Sequence, residues 1–324
     1  MTILVTVSDD RFGRKEGLYR KTQIDICGLF FKTKWFNHIY AWTWYDILQT
    51  DFYQQNKILL DNTDAARNGR AYKPFVILEG LKNINEGDFL IYNDCSPEIW
   101  KGVGSLADYD IDVIKNLCIQ NNNILTPFIK WSRYDLKPGE LGEATHKNYT
   151  LNRCMDKMGL RFYEDAYMCA SGMICIRKTS ETVALIEEWL KWNCIDECCA
   201  LGYADIPNDT SFWDKESNPE FGKEGYKMGC RHDQSILGLL LARNNHKFVD
   251  VDVNELHCAN FLQFCRPGGD YNFIDSLPGL KIGDKVINKQ GTVLEIFGIY
   301  EGKYQVGQNN ASLYLASRET LKKI

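Results

Sequence analysis

The chain has 324 residues, 44% of them apolar and 25% charged, with a formal net charge of −5. That composition suits a globular protein with one large domain and a small one. The negative balance speaks against a general electrostatic hold on nucleic acid or an anionic membrane. No apolar stretch approaches the roughly 20 residues of a membrane span, and Ile3-Leu-Val-Thr-Val7 is too short for a secretory core.

In chain order, residues 3–7 predict a buried strand that ends in Ser8-Asp9-Asp10. A basic segment with Arg11, Arg14 and Lys15 follows, then a helix over 22–32, a strand over 38–42 and a helix over 44–56. Residues 74–81 have helical spacing, with Pro74 where its missing N–H costs nothing. Gly87-Asp88 turns into a strand over 89–92 that stops at Asp94. Residues 111–121 predict a helix and 124–129 a strand. A polar loop over 137–150 follows, then a strand over 167–176. The helix over 183–192 has Thr179 or Ser180 available as its cap. Residues 202–229 lack periodicity and are rich in Asn, Asp, Gly and Pro, as functional loops often are. A helix over 233–243 and a strand over 247–253 complete this part.

Near Leu277-Pro278-Gly279 the pattern changes to short strands separated by Asn and Gly turns, at 281–287, 291–297, 303–306 and 311–315. That spacing predicts a small all-β barrel. Residues 281–324 hold seven Lys/Arg against four Asp/Glu, a charge of +3 against −8 for the rest. The expected boundary separates residues 1–275 from 276–324.

Twelve cysteines read best as free thiols in a reducing, cytoplasmic setting. Cys194, Cys198 and Cys199 sit close together, but no Cys/His pair at finger spacing completes four zinc ligands. The chain has no phosphate-loop glycine motif, no Gly-x-Gly-x-x-Gly after the first strand, no Gly-x-Ser-x-Gly elbow and no His-Glu-x-x-His. Those absences argue against a P-loop kinase, a dehydrogenase, an α/β hydrolase and a zincin.

Four constellations remain, each with two readings. Asp94 lies at the carboxyl edge expected of a strand, where open α/β sheets bind ligands. It either holds a metal–diphosphate group or caps the turn before Pro97. Asp233 either opens its helix as an N-cap or, with the neighbouring Gln234, faces a substrate. His257 is either a metal ligand or a loop histidine. Lys73, Arg14 and Lys15 are either phosphate contacts or solvated surface charge.

The ordered set Lys73-Pro-Phe-Val-Ile-Leu78, Gly87-Asp-Phe-Leu-Ile-Tyr-Asn-Asp94-Cys-Ser96, Ala170-Ser-Gly-Met-Ile-Cys175, Glu187-Glu-Trp-Leu190 and His232-Asp-Gln-Ser-Ile-Leu237 resembles the nucleotide-sugar-dependent glycosyltransferases of GT-A fold. It spans most of residues 1–260. The resemblance implies an α/β, Rossmann-like fold with a mixed, mostly parallel sheet flanked by helices. It also implies transfer of a sugar from a nucleotide-sugar donor, with uracil the expected base, assisted by Mn2+ or Mg2+. Asp94 matches the first acid of that family's Asp-x-Asp motif, but Ser96 stands at the third position, so Ser96 or Glu98 takes the second acid's place. Asp233 and Gln234 match the pair beside the anomeric carbon in retaining members, and His257 matches a late metal-binding histidine. Ser8, Arg14, Lys73 and Asp94 are then the donor contacts. The C-terminal part is similar to SH3-like or KOW-type barrels. The acceptor, whether glycan, protein or nucleic acid, is open. A non-catalytic binding protein, or a transferase acting on a polymer such as DNA held by the barrel, is the alternative.

Overall fold

A computed structural model describes residues 1–9, 11, 17–61, 70–96, 106–128, 145–195, 198, 233–250, 261–269, 271–277, 279–280, 283–300, 303–308 and 313–324. The first strands form a five-stranded sheet from β1 (Thr2–Ser8), β2 (His38–Thr43), β3 (Phe89–Asn93), β4 (Ile124–Leu125) and β5 (Met173–Arg177). The spatial order is β2-β1-β3-β5-β4. β1 pairs in parallel with both β2 and β3, whereas β5 runs antiparallel to β3 and to β4. The sheet is therefore mixed, as expected: β5 alone runs against the other four strands, which makes two of the four pairings antiparallel. Strand direction was not legible because β3 and β5 are both buried almost throughout, and continuous burial removes the one-sided pattern of an antiparallel strand.

Alternation along the strands divides the core into two layers. Ile3, Val5 and Val7 of β1, Leu90 and Tyr92 of β3, and Ile174 and Ile176 of β5 face one cluster. That layer is filled by α5 (Tyr72–Lys82), α9 (Ser180–Asn193) and α10 (Asp233–Arg243). Leu4, Phe89, Ile91, Met173 and Cys175 point the other way, against α1 (Leu18–Phe31), α6 (Ile111–Gln120) and the aromatic turn at Phe261–Phe264. Two-residue periodicity in three neighbouring strands thus fixes which helices lie on which face. Gly80 lets α5 lie close on the sheet: a Cβ there would stand 2.7 Å from Leu90 Cδ1 and from Val5 Cγ2.

Some boundaries differ from expectation. The helix expected over 44–56 is three short ones, α2 (Trp44–Leu48), α3 (Asp51–Gln55) and α4 (Lys57–Leu60). The Thr50 hydroxyl accepts from Tyr53 N–H and starts a new helix where one was expected to continue. The strand expected over 167–176 begins only at Met173, because Tyr167 and Cys169 make isolated bridges to Thr145 and Phe128. Short helices α7 (His146–Tyr149) and α8 (Asn152–Met158) occupy segments read as loop or left unassigned. β6 (Lys247–Asp250) pairs antiparallel with β7 (Asn272–Asp275) outside the main sheet. The irregular stretch at 202–229 lies outside the described residues.

The C-terminal strands β8 (Lys285–Asn288), β9 (Val293–Tyr300), β10 (Lys303–Gly307), β11 (Leu313–Ala316) and β12 (Leu321–Lys323) form one antiparallel sheet in the order β11-β10-β9-β8-β12. Among the described residues no pairing joins β11 to β12, so the expected barrel is an open sheet. Among the described residues its core is seven: Leu280, Val286, Leu294, Ile296, Val306, Ala316 and Leu321. No helix among the described residues is long and apolar enough to cross a membrane. The nine described cysteines are free thiols.

Candidate functional site

From β1 the chain goes to β2 on one side of the sheet and later returns to β3 on the other. The carboxyl ends of β1 and β3 therefore flank a topological switch point, the place where open α/β sheets form a ligand crevice. Ser8 and Asp9 stand at one lip and Asp94 at the other.

Lys73, the second residue of α5, is 1% exposed. A buried ammonium is costly unless its donors are met, and here oxygens surround it. Its Nζ lies 2.7 Å from Asp233 Oδ2, 3.4 Å from Asp94 Oδ1 and 3.1 Å from Ser171 Oγ. The Ser171 hydroxyl in turn donates to Asp233 Oδ2, and the Trp189 indole N–H donates to the Asp233 carbonyl at 2.9 Å. The Tyr92 hydroxyl donates to Asp94 Oδ1 at 2.6 Å. Three of the nominated residues, Lys73, Asp94 and Asp233, thus form one ion cluster from α5, the end of β3 and the start of α10.

Burial opposes the Asp233 charge, but Lys73, Arg70 and the Ser171 hydrogen bond outweigh it and hold the carboxyl below its usual value. Burial likewise opposes the Arg70 guanidinium, and Tyr72, Asp233 and Asp94 outweigh that and push it up. Arg70 therefore adds a second positive charge to the field of the two carboxylates. The Tyr92 hydroxyl is pushed well up, first by burial and then by Asp94, so it stays a donor. Asp233 is buried, whereas the Asp94 side chain is 22% exposed and is the open edge of the cluster.

A second group sits at the β1 lip. Asp9 is buried, and its carboxylate takes Arg11 Nε at 2.8 Å and Nη2 at 2.7 Å. The Leu60 carbonyl takes Nη1 at 2.6 Å, and the guanidinium carbon lies 3.1 Å from the centre of the Trp44 ring. Tyr72 is next to Lys73 in the chain: its ring is 6.4 Å from that of Trp44, and its hydroxyl is pushed up, first by burial and then by the charge of Asp9.

The other nominated residues fall as follows. Ser8 is at the expected strand end, but its hydroxyl donates to Gln23 Oε1 of α1 at 3.0 Å. Ser96 follows Asp94 by two residues, and Gln234 is half-buried beside Asp233. Arg14, Lys15, Glu98 and His257 lie outside the described residues. So does Cys199 of the zinc cluster, and no group of three His, Cys, Asp or Glu side chains among the described residues could hold a metal ion. Sequence reasoning missed Arg70, Tyr92, Ser171 and the Arg11–Trp44 stack. The available signal for Arg70 was a second cation three residues before Lys73. The others needed the sheet order.

A cavity of about 540 Å3 lies elsewhere, between α3, α5 and α9, with Phe52, Phe75, Leu78 and Leu190 in its wall. It offers none of the cluster's charged groups, so the crevice is preferred on chemistry over size. No protein-family model, curated protein or solved structure matches the chain. Function is therefore read from these side chains.

Proposed function

We propose that the chain is a glycosyltransferase that moves a sugar from a nucleoside diphosphate donor, with retention, to a hydroxyl acceptor. One observation carries the reading: Lys73 joins Asp94 and Asp233 at the carboxyl ends of β1 and β3. In the proposed reaction the bond from the anomeric carbon to the diphosphate breaks, a bond to the acceptor oxygen forms, and the acceptor proton leaves with the diphosphate. Asp233, held ionised and rigid by Lys73, Ser171 and the Trp189-anchored backbone, would steady the positive charge that develops on the sugar. Gln234 beside it would face the anomeric carbon. Lys73 and Arg70 would offset the charge of the leaving phosphates.

The partly exposed Asp94 carboxylate and the Ser96 hydroxyl offer hard oxygen donors of the kind Mn2+ or Mg2+ accepts. One carboxylate suffices when substrate phosphates supply the remaining ligands. Asp94 and Ser96 would hold the ion, which when bound would neutralise the leaving diphosphate. The nine described thiols support the expected reducing compartment.

The test is a screen of nucleoside diphosphate sugars, with and without Mn2+, read as released nucleoside diphosphate. Asp94→Ala should abolish release and leave the fold intact. Asp233→Asn should lose far more turnover than stability. Release that is unchanged in both variants would overturn the proposal, and a loss confined to the melting temperature in Asp233→Asn would make that residue structural.

A further inference from the structure

The group at the β1 lip has a shape that names its ligand. Three oxygens converge on one flat object: both carboxylate oxygens of Asp9 and the carbonyl oxygen of Leu60. The floor is the face of Trp44, whose ring packs steeply against those of Tyr53 at 5.9 Å and 87° and Tyr72 at 6.4 Å and 75°. What fills the place is a planar guanidinium from the same chain, its carbon 3.1 Å above the indole. The Asp9 carboxylate meets it fork to fork, Nε at 2.8 Å and Nη2 at 2.7 Å.

We infer that this place is a nucleobase seat selective for guanine, and that Arg11 fills it when no nucleotide is bound. The inference rests on the donor reading above and replaces the uracil that the sequence resemblance suggests. Guanine carries the same fork as arginine: its ring N1–H and exocyclic N2–H are parallel donors on either side of one carbon. Uracil offers a single N–H flanked by two carbonyls, which would meet the Asp9 oxygens lone pair against lone pair. Adenine and cytosine each place an amino group beside a ring acceptor, so only one donor faces the carboxylate. The Arg11 backbone N–H also meets Asp9 Oδ1 at 3.2 Å, so Oδ2 is the oxygen that depends on the ligand. A base whose single donor cannot serve it while its neighbouring acceptor faces Oδ1 is rejected. The indole face adds stacking that is the same for any base, so choice falls to Asp9. The position fits as well. Tyr72, whose ring packs against Trp44, directly precedes Lys73 at the start of α5, so a base on Trp44 would lie beside the ion cluster that is to take its phosphates.

Arg11 competes with the base for the same oxygens, and its removal should tighten guanine nucleotides. A guanidinium that served as a phosphate contact would give the opposite sign. The experiment is calorimetric titration of the full chain with GDP, UDP, ADP and CDP, each without sugar. GDP should bind the wild type roughly 100-fold more tightly than UDP. Asp9→Asn should erase that preference, Arg11→Ala should tighten GDP several-fold, and Trp44→Leu should weaken all four while keeping their order. Asp9→Asn keeps the volume of the side chain, and Trp44→Leu gives a second reading if Asp9→Asn fails to fold. UDP binding as tightly as GDP, or Arg11→Ala weakening GDP, overturns the guanine seat and leaves the donor reading standing. No binding of any of the four by either the folded wild type or folded Arg11→Ala overturns both.

Discussion

The N-terminal sheet and the C-terminal sheet both have five strands, yet they organise charge in opposite ways. In the first, β1 and β3 are buried on both faces, and an ammonium joins two carboxylates beyond the carboxyl end of β3. In the second, a core of seven described residues lies under one face, and exposed Val293, Ile299 and Leu315 share the other strand positions with solvent. Its ions lie outside its core: Lys323 reaches Asp284, and Lys322 reaches across to Glu164, just after the turn at Arg161–Tyr163. Burying charge is expensive, and a large two-layer core can hold it in place where a thin single layer cannot. The contrast suggests where chemistry belongs in this chain and where contact does.

The sharpest way to break the comparison is to remove the buried cation. Lys73→Met leaves Asp94 and Asp233 facing each other without their shared partner. It should cost about 3–5 kcal/mol in urea unfolding and end nucleotide release. A loss below about 1 kcal/mol would mean the cluster is solvated and the two sheets do not differ in the way described. Asp94→Ala comes next. Its expected effect is loss of release to background, a fall of at least about 100–1,000-fold in turnover. The stability cost is only about 1–3 kcal/mol, from the unmet Tyr92 hydroxyl, because Lys73 keeps Asp233. Ile296→Val tests the other side: about 1 kcal/mol, read by hydrogen exchange as faster opening of β8–β12 with β1 and β3 unchanged. Equal acceleration in both sheets would show one cooperative unit.

The smallest effect is at the contact between them. Lys322→Ala should cost under about 1 kcal/mol, as partly exposed pairs do. Burial raises the Glu164 carboxyl, but Lys322 and Arg161 outweigh it, so its folded value lies below 4.5. The stability it contributes is then fully present above pH 4.5 and is lost as pH falls through the lower folded value. Lys322→Ala should flatten that loss, and a pH profile identical to that of wild type would remove the contact from the account.

The amino-acid pattern revealed the parts of the N-terminal unit whose rules are local. α5, β3, α6 and α10 begin and end within two residues of expectation because Pro74, the Gly87 turn, the Asp110 cap and the apolar run after Asp233 act on their own neighbours. The Thr50 break was missed because a hydroxyl competing for one N–H leaves almost no trace in hydrophobic spacing. Within the site, Lys73, Asp94 and Asp233 could each be named from their place in an element. Their shared ion cluster could not, since it depends on the starts of α5 and α10 meeting the end of β3 across long stretches of chain. Ser171 and Tyr92 had no signal at all: one looks like a loop serine and the other like an ordinary core aromatic.

The bare α-carbon at position 80 has a consequence for the far end of its helix. Seven residues, about 10 Å along the axis, separate it from Lys73. A methyl group placed against Leu90 and Val5 would tilt the helix like a shim under one end of a beam. The ammonium would then shift relative to both acids without any change in its own chemistry. Alignment of the charged trio is thus set by a missing side chain two turns away, so Gly80→Ala should impair turnover while leaving every polar group of the crevice in the sequence.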